Sequence, residues 1–101
     1  MFKTTSVRGI LTEIIEVHES TSEDEQYTEA VATLNTGQTI MVHIPETDVD
    51  IKNRNLIFGT GYYATGISDF FGLLKKTEIF FFTKWDYLEG TEEWHISFSA
   101  A

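Results

Sequence analysis

The chain has 101 residues, of which 42% are hydrophobic and 14% are aromatic, and its formal net charge is −9. This composition is typical of one globular domain with its own core, and it excludes intrinsic disorder. The absence of cysteine excludes disulfides, thiolate metal sites and cysteine nucleophiles. The seven Lys and Arg residues are scattered, so the chain lacks the basic patch of a generic duplex-DNA binder.

No apolar run approaches the roughly 20 residues that a membrane helix needs. The first residues, Met1–Thr5, also lack the apolar stretch of a secretory signal. We therefore expect a soluble, cytoplasmic domain that contacts no membrane. Its acidity would keep it soluble, and would also favour approach to a basic partner.

The first predicted element is Val7–Val17, which is long and rich in β-branched residues. Its adjacent apolar pairs at 10–11 and 14–15 interrupt a simple alternation. They fit either an amphipathic helix or a bent strand whose inward face changes at a bulge. Gly9 and the β-branched residues favour the strand. The acidic segment Glu19–Gln26 shows no periodicity and is predicted to be a loop.

Tyr27–Ile44 is predicted to be a β-hairpin that turns at Asn35-Thr36-Gly37. A two-residue and a three-residue loop both fit this turn, and they set registers that differ by one residue. We favour the three-residue loop with Gly37 at positive φ, because its register collects six apolar residues on one face. These six are Ala30, Ala32, Leu34, Ile40, Val42 and Ile44, with Ala30 opposite Val42 and Ala32 opposite Ile40.

Beyond Pro45, residues 46–56 form a polar insert without a sustained apolar stripe, which leaves room for a short helix at most. Gly59–Ile67 is predicted to be a strand with glycines where a sheet bends or approaches another backbone. Ser68–Lys76 is predicted to be a connection. The alternation in Glu93–Phe98 predicts an edge strand, so the domain is expected to occupy residues 1–90, followed by an edge strand or tail in 91–101.

The last long strand contains the run Thr77–Trp85, which is dense in aromatic and β-branched residues. Because side chains alternate along a strand, both of its faces are apolar. We expect Ile79, Phe81 and Trp85 to point into the core. The alternative is the opposite phase of the strand, in which Phe80 and Phe82 point into the core. In the expected phase, Phe80 and Phe82 would need a second cover.

The order of these elements resembles the OB-fold, a five-stranded Greek-key barrel that binds oligonucleotides or oligosaccharides. The resemblance covers residues from about 5 to 90 and rests on layout: the bent first strand with Gly9, the turn at Asn35-Thr36-Gly37, the insert, and the Gly-rich segment before the last strand. No family-specific motif accompanies it. The predicted fold class is therefore all-β, a small five-stranded Greek-key OB-like barrel.

The resemblance implies a ligand site on the outer face of strands 2 and 3 and on the loops that join strands 1–2 and 4–5. Bases would stack on aromatic side chains, and lysines would contact phosphates. The acidic residues Glu23, Asp24 and Glu25 in the 1–2 loop would repel phosphate. The nucleic-acid-binding residues expected on this basis are Tyr27, Val31, Met41, His43, Phe70, Phe71, Lys75, Lys76 and Lys84.

No set of catalytic residues is recognisable in the sequence. Carboxylates alternate at Glu46, Asp48 and Asp50 and could attract a hard cation, but their spacing does not match an EF-hand loop. The three histidines are far apart and have no cysteine companions, so no metal site is predicted. We therefore expect a non-enzymatic protein without a cofactor.

Two functions remain open at this point. The first is a protein that binds single-stranded nucleic acid weakly and without strong sequence preference. The second is an acidic protein-interaction module, a subunit or inhibitor of a larger complex, that uses Phe80 and Phe82 as its interface. A homo-oligomer would be one form of this second function.

Overall fold

Five β-strands make up the protein in a computed structural model, which describes residues 3–70 and 73–88 but not the side chains of Glu23 and residues 68–75. The strands form a closed barrel in the order β1-β2-β3-β5-β4. This confirms the all-β, five-stranded barrel, and the order is compatible with an OB-like architecture. The strands are β1 (Thr5–His18), β2 (Tyr27–Leu34), β3 (Thr39–Ile44), β4 (Leu56–Phe70) and β5 (Leu73–Leu88), with one 3₁₀ turn at Glu23–Glu25.

Within the described ranges no helix is long and apolar enough to cross a membrane. The described part of the insert, residues 46–56, forms turns and no helix. The segment 91–101, including the edge strand expected at Glu93–Phe98, lies outside the described residues.

β1 is a bent strand, as expected, and it pairs with two neighbours. Its first half pairs with β4, and most of its length pairs with β2. The β1–β2 register shifts twice, between Leu11 and Glu13 and between Ile14 and Glu16. Such bulges bend a strand and re-aim its side chains. The first shift explains why Leu11 and Ile14, which are three residues apart, both face the core.

The hairpin of β2 and β3 has the predicted register. Ala30 lies opposite Val42 and Ala32 opposite Ile40. Gly37 has a φ of 87°, a conformation that side chains with a Cβ disfavour, and its N–H donates to the Leu34 carbonyl at 2.9 Å. Five of the six predicted inward residues are buried, and the sixth, Ile40, is partly buried and packs against the core.

The phase of β5 differs from the prediction. Phe80 and Phe82 are 0% and 1% exposed and belong to the barrel core. Ile79 and Phe81 face outward instead, and Trp85 packs against the core as expected. Phe80 and Phe82 are therefore covered by their own barrel and are not available as an interface.

A β-bulge explains how Trp85 joins the same side as Phe80 and Phe82. Thr60 pairs with Lys84, whereas Gly61 pairs with Phe82, so Thr83 is an extra residue in β5. The extra residue shifts the alternation by one position. Strict alternation across Thr77–Trp85, which the sequence suggested, cannot hold through this point.

β4 and β5 form one long antiparallel hairpin where the sequence predicted a connection at Ser68–Lys76. Ser68 pairs with Lys75, and Phe70 pairs with Leu73. β1 pairs with β4 only as far as Gly61, and β3 pairs with β5 from Ile79 to Phe81, among the described residues. The distal part of the hairpin therefore extends beyond the barrel as a two-stranded arm.

The insert between β3 and β4 is held against one end of the barrel by Glu46. Its carboxylate accepts hydrogen bonds from Trp85 Nε1 and, at 2.9 Å, from Tyr87 Oη. Its backbone carbonyl accepts from Thr28 Oγ1 at 2.7 Å. Arg54 adds a cation–π contact, with its guanidinium carbon 4.8 Å from the Tyr87 ring centroid. These contacts order the segment without a helix.

Candidate nucleic-acid interface

A row of five aromatic rings crosses the outside of the barrel, with one ring on each strand. Register places them side by side: His18 pairs with Tyr27, His43 pairs with Phe81, and Phe81 pairs with Tyr62. We call this set the ring row. In spatial order it consists of His18 on β1, Tyr27 on β2, His43 on β3, Phe81 on β5 and Tyr62 on β4.

Neighbouring rings of the row contact one another. Ring centroids lie 4.5–5.4 Å apart, and the planes of successive pairs differ by 14°, 30°, 38° and 12° from β1 to β4. The rings are thus turned toward each other across the strands, so their edges form the outward surface of the row. Ring edges carry partial positive charge and suit edge-to-face contact with a flat π-system such as a base.

An apolar layer supports the row on its side toward the arm. Met41 and Ile79 pair across β3 and β5 and are 6% and 2% exposed, although both lie outside the barrel core. Ile79 packs over Gly66, where a Cβ would lie 2.4 Å from its Cδ1. Met41 is therefore a support rather than the ligand contact expected from the sequence, whereas Val31 is partly exposed beside it.

Carboxylates border the row at its β1–β2 end. Glu16 pairs with Glu29 across the two strands, and Tyr27 Oη donates to Glu16 Oε2 at 3.4 Å. Burial and then repulsion from Glu16 raise the pKa of Glu29. Burial and the same carboxylates raise the pKa of Tyr27. This end of the row is electronegative.

His43, at the centre of the row, is half-buried between the rings of Tyr27 and Phe81. Burial lowers its pKa, so the imidazole is neutral at physiological pH. A neutral ring at this position contributes stacking and a hydrogen-bonding edge, not a positive charge.

Cations lie at the opposite, β4–β5 end. Lys84 is exposed and is the next outward residue after Phe81, once the bulge at Thr83 is taken into account. Lys76 is exposed on the arm. Lys75 and Phe70 belong to the arm by their backbone, but their side chains, like the whole of Phe71, lie outside the described residues.

A groove of about 430 Å³ adjoins this cationic end. It lies across the outer faces of β1, β4 and β5, where Ser6 pairs with Thr60 and Arg8 pairs with Phe58. Lys84 and Asp86 complete the two rows on β5. Its lining comprises Ser6, Val7, Arg8, Asn35, Phe58, Gly59, Thr60, Lys84, Trp85 and Asp86.

The carboxylates at 46, 48 and 50 do not form a metal centre. Among the residues that the structure describes, no group of three or more His, Asp or Glu side chains could hold a metal ion. Glu46 instead accepts hydrogen bonds from Trp85 and Tyr87, and Asp50 accepts from Asn53 Nδ2 at 2.9 Å.

Of the residues predicted from the sequence, Tyr27 and His43 belong to the ring row, and Val31 and Lys84 lie on the same outer surface. Three members of the row were not predicted from the sequence: His18, Tyr62 and Phe81. They are distant in sequence, and only the inter-strand register brings them together.

Comparisons with known proteins gave no match to a family model, to a curated protein or to a solved structure.

Proposed function

We propose that this protein is a non-enzymatic OB-like barrel that binds single-stranded nucleic acid on its outer face, weakly and without strong sequence preference. The observation that carries the proposal is the ring row, which crosses all five strands. Every base has a π-face, so a row of ring edges would accept bases with little regard to sequence.

The distribution of charge supports one placement of the strand. Glu16 and Glu29 would repel phosphates at the β1–β2 end, whereas Lys84 and Arg8 lie beyond the other end. The phosphate backbone would therefore follow β5 and β4, and bases would contact His43, Phe81 and Tyr62. The net charge of −9 keeps this attraction local, so we expect low affinity and a shallow dependence on salt.

The test is a fluorescence-anisotropy titration with short labelled oligo(dT) and oligo(U) at low and at moderate salt. Phe81→Ala should weaken binding about two- to tenfold, because one edge-to-face aromatic contact contributes about 0.5–1.5 kcal/mol. Lys84→Gln should reduce the salt slope by about 0.7 through the loss of one phosphate contact. Ile15→Ala and Lys52→Gln, at exposed positions outside the row and groove, serve as matched controls. Absence of binding at low salt would overturn the proposal.

A second candidate function is docking to a basic protein partner, and the Glu16–Glu29 pair favours it. A Lys or Arg side chain of a partner could neutralise both carboxylates and contact the Tyr27 ring. Titration with an arginine-rich peptide separates the two functions. Under this alternative, Glu16→Gln with Glu29→Gln abolishes peptide binding, whereas Lys84→Gln leaves it unchanged.

A further inference from the structure

The line of paired residues that contains His43 and Phe81 continues on β2 into a carboxylate. Glu29 pairs with His43, and His43 pairs with Phe81. We propose that Glu29 reads one base of the bound strand and prefers guanine there, by accepting hydrogen bonds from the Watson–Crick edge of that base. The inference rests on the proposed function, to which it adds a preference at one position of an otherwise sequence-tolerant site.

Glu29 is partly buried, and no donor contacts its carboxylate among the residues and side chains that the structure describes. The carboxylate beside it differs, because Glu16 accepts a hydrogen bond from Tyr27 Oη at 3.4 Å. Burial, and then repulsion from Glu16, raise the pKa of Glu29, as expected for a charge without a donor. An acceptor that loses water without gaining a donor costs free energy, so a donor brought by a ligand would be bound favourably.

Strand geometry places Glu29 within reach of a base on the rings. Neighbouring strands lie about 4.8 Å apart, so the Glu29 backbone is about 5 Å from that of His43 and about 10 Å from that of Phe81. The ring edges of the row face outward, so a base that contacts them lies flat over the sheet. The hydrogen-bonding edge of such a base lies in the same plane, level with a side chain that rises from β2.

The charges on the outer face orient the base toward Glu29. Lys84 is exposed and is the next outward residue after Phe81 on β5. A phosphate near Lys84 stays away from the paired carboxylates of Glu16 and Glu29, which repel it. The Watson–Crick edge of a base points away from the phosphate of its nucleotide, so it would extend over His43 toward β2.

Of the common bases, guanine has the donors that a carboxylate needs. An ionised carboxylate only accepts hydrogen bonds, and its two oxygens can take two donors side by side. Guanine presents N1–H and the N2 amino group next to each other on its Watson–Crick edge. Adenine and cytosine offer one amino group beside an acceptor nitrogen, and thymine and uracil offer one N–H between two carbonyl oxygens. Glu29 would repel those acceptors, so guanine should bind most tightly.

The experiment is a fluorescence-anisotropy titration with labelled oligo(dT) that carries a single central deoxyguanosine, deoxyinosine or thymidine. Deoxyguanosine should bind about five- to tenfold more tightly than thymidine, and deoxyinosine, which lacks the N2 amino group, should lie between them. Glu29→Gln should abolish these differences, because its amide replaces one acceptor by a donor. Glu13→Gln is the matched control, since it removes the same charge from an exposed position of the same outer face and should keep the preference. Equal affinity for the three central bases, or an unchanged preference in Glu29→Gln, would overturn the inference.

Unmodified oligo(dT) separates this inference from the proposed function. If oligo(dT) binds and Phe81→Ala weakens it, but a central guanine gives no advantage, the inference is wrong and the proposed function stands. If no oligonucleotide binds, with or without guanine, both are wrong. If only an arginine-rich peptide binds, and Glu29→Gln weakens it, Glu29 serves a basic protein partner and the guanine preference is wrong.

Discussion

Tyr87 Oη donates a hydrogen bond of 2.9 Å to the carboxylate of Glu46, although the two residues are 41 positions apart in the chain. The same carboxylate accepts from Trp85 Nε1. One side chain of the insert thereby binds two aromatic residues near the end of β5. This contact connects the insert to the barrel and is the basis of the first two predictions.

Tyr87→Phe should lower the free energy of unfolding by about 1–2 kcal/mol, because it removes a partly buried hydrogen bond to a charged acceptor. Urea denaturation followed by circular dichroism measures the change. Tyr27→Phe is the matched comparison, since its hydroxyl contacts Glu16 at 3.4 Å on the exposed surface. An equal loss in both variants would show that the hydrogen bond to Glu46 contributes no more to the free energy of unfolding than the exposed contact of Tyr27.

Stability should fall at alkaline pH, and Tyr87 should account for part of the fall. Burial, and then the hydrogen bond and charge of Glu46, raise the pKa of Tyr87 above its ordinary value of 10.0. The folded state therefore holds this proton more tightly than the unfolded state. The resulting stability is fully present below pH 10 and is lost as the pH rises above it. The slope of unfolding free energy against pH should be smaller in Tyr87→Phe, and an unchanged slope would contradict the assignment.

The phase of β5 can be tested by two alanine substitutions at neighbouring positions. Phe82→Ala should cost about 3–5 kcal/mol, because it opens a cavity in the barrel core. Phe81→Ala should cost less, about 1–2 kcal/mol, because its ring is partly exposed and loses mainly contacts to other rings. Urea denaturation of both variants decides the matter. A larger cost at Phe81 than at Phe82 would reverse the assigned phase.

Two glycines should respond differently to alanine. Gly37→Ala imposes a positive φ on a residue with a Cβ but meets no atom within 4 Å, so the cost should be about 1 kcal/mol. Gly59→Ala places a Cβ against the Lys84 carbonyl oxygen and requires the bulge to shift, so the cost should be about 3 kcal/mol or more. Thermal unfolding compares the two, and equal costs would argue against the close β4–β5 approach.

Glu29→Gln should stabilise the protein at neutral pH. Burial and repulsion from Glu16 raise the pKa of Glu29, so the folded state favours its protonated form. Its contribution to stability is present below the ordinary pKa of 4.5 and is lost as the pH rises through the higher folded value. At pH 7 the ionised carboxylate therefore destabilises the fold. Denaturation at pH 7 should show a gain for Glu29→Gln and none for Glu13→Gln at an exposed position of β1.

The register of the β2–β3 hairpin could be predicted because one slip would have scattered its apolar residues and because Gly37 marks the turn. The phase of β5 could not be predicted in the same way. Its two faces are equally apolar, so pattern alone does not choose between them. The bulge at Thr83 then breaks the alternation on which the prediction depended, and the glycines at 59 and 61 on the partner strand are the signal that could have located it.

The candidate site was predictable in part, and for a similar reason. Tyr27 and His43 belong to the hairpin whose register was correct, so their outward placement followed from it. Phe81 was assigned to the core with the wrong phase of β5 and was therefore absent from the predicted site. His18 was missed because it ends a bent strand, where two bulges determine which way a side chain points.

The barrel closes between β3 and β5 through three residue pairs, the fewest of any strand contact in the described barrel, and the pairing there is parallel. Parallel ladders are slightly less stable per residue, so local opening should begin at this seam. The rings of His43 and Phe81 span it. A molecule bound to both rings would therefore stabilise the closed barrel against local opening. The amide hydrogen exchange of residues 41–43 would slow as that molecule is added.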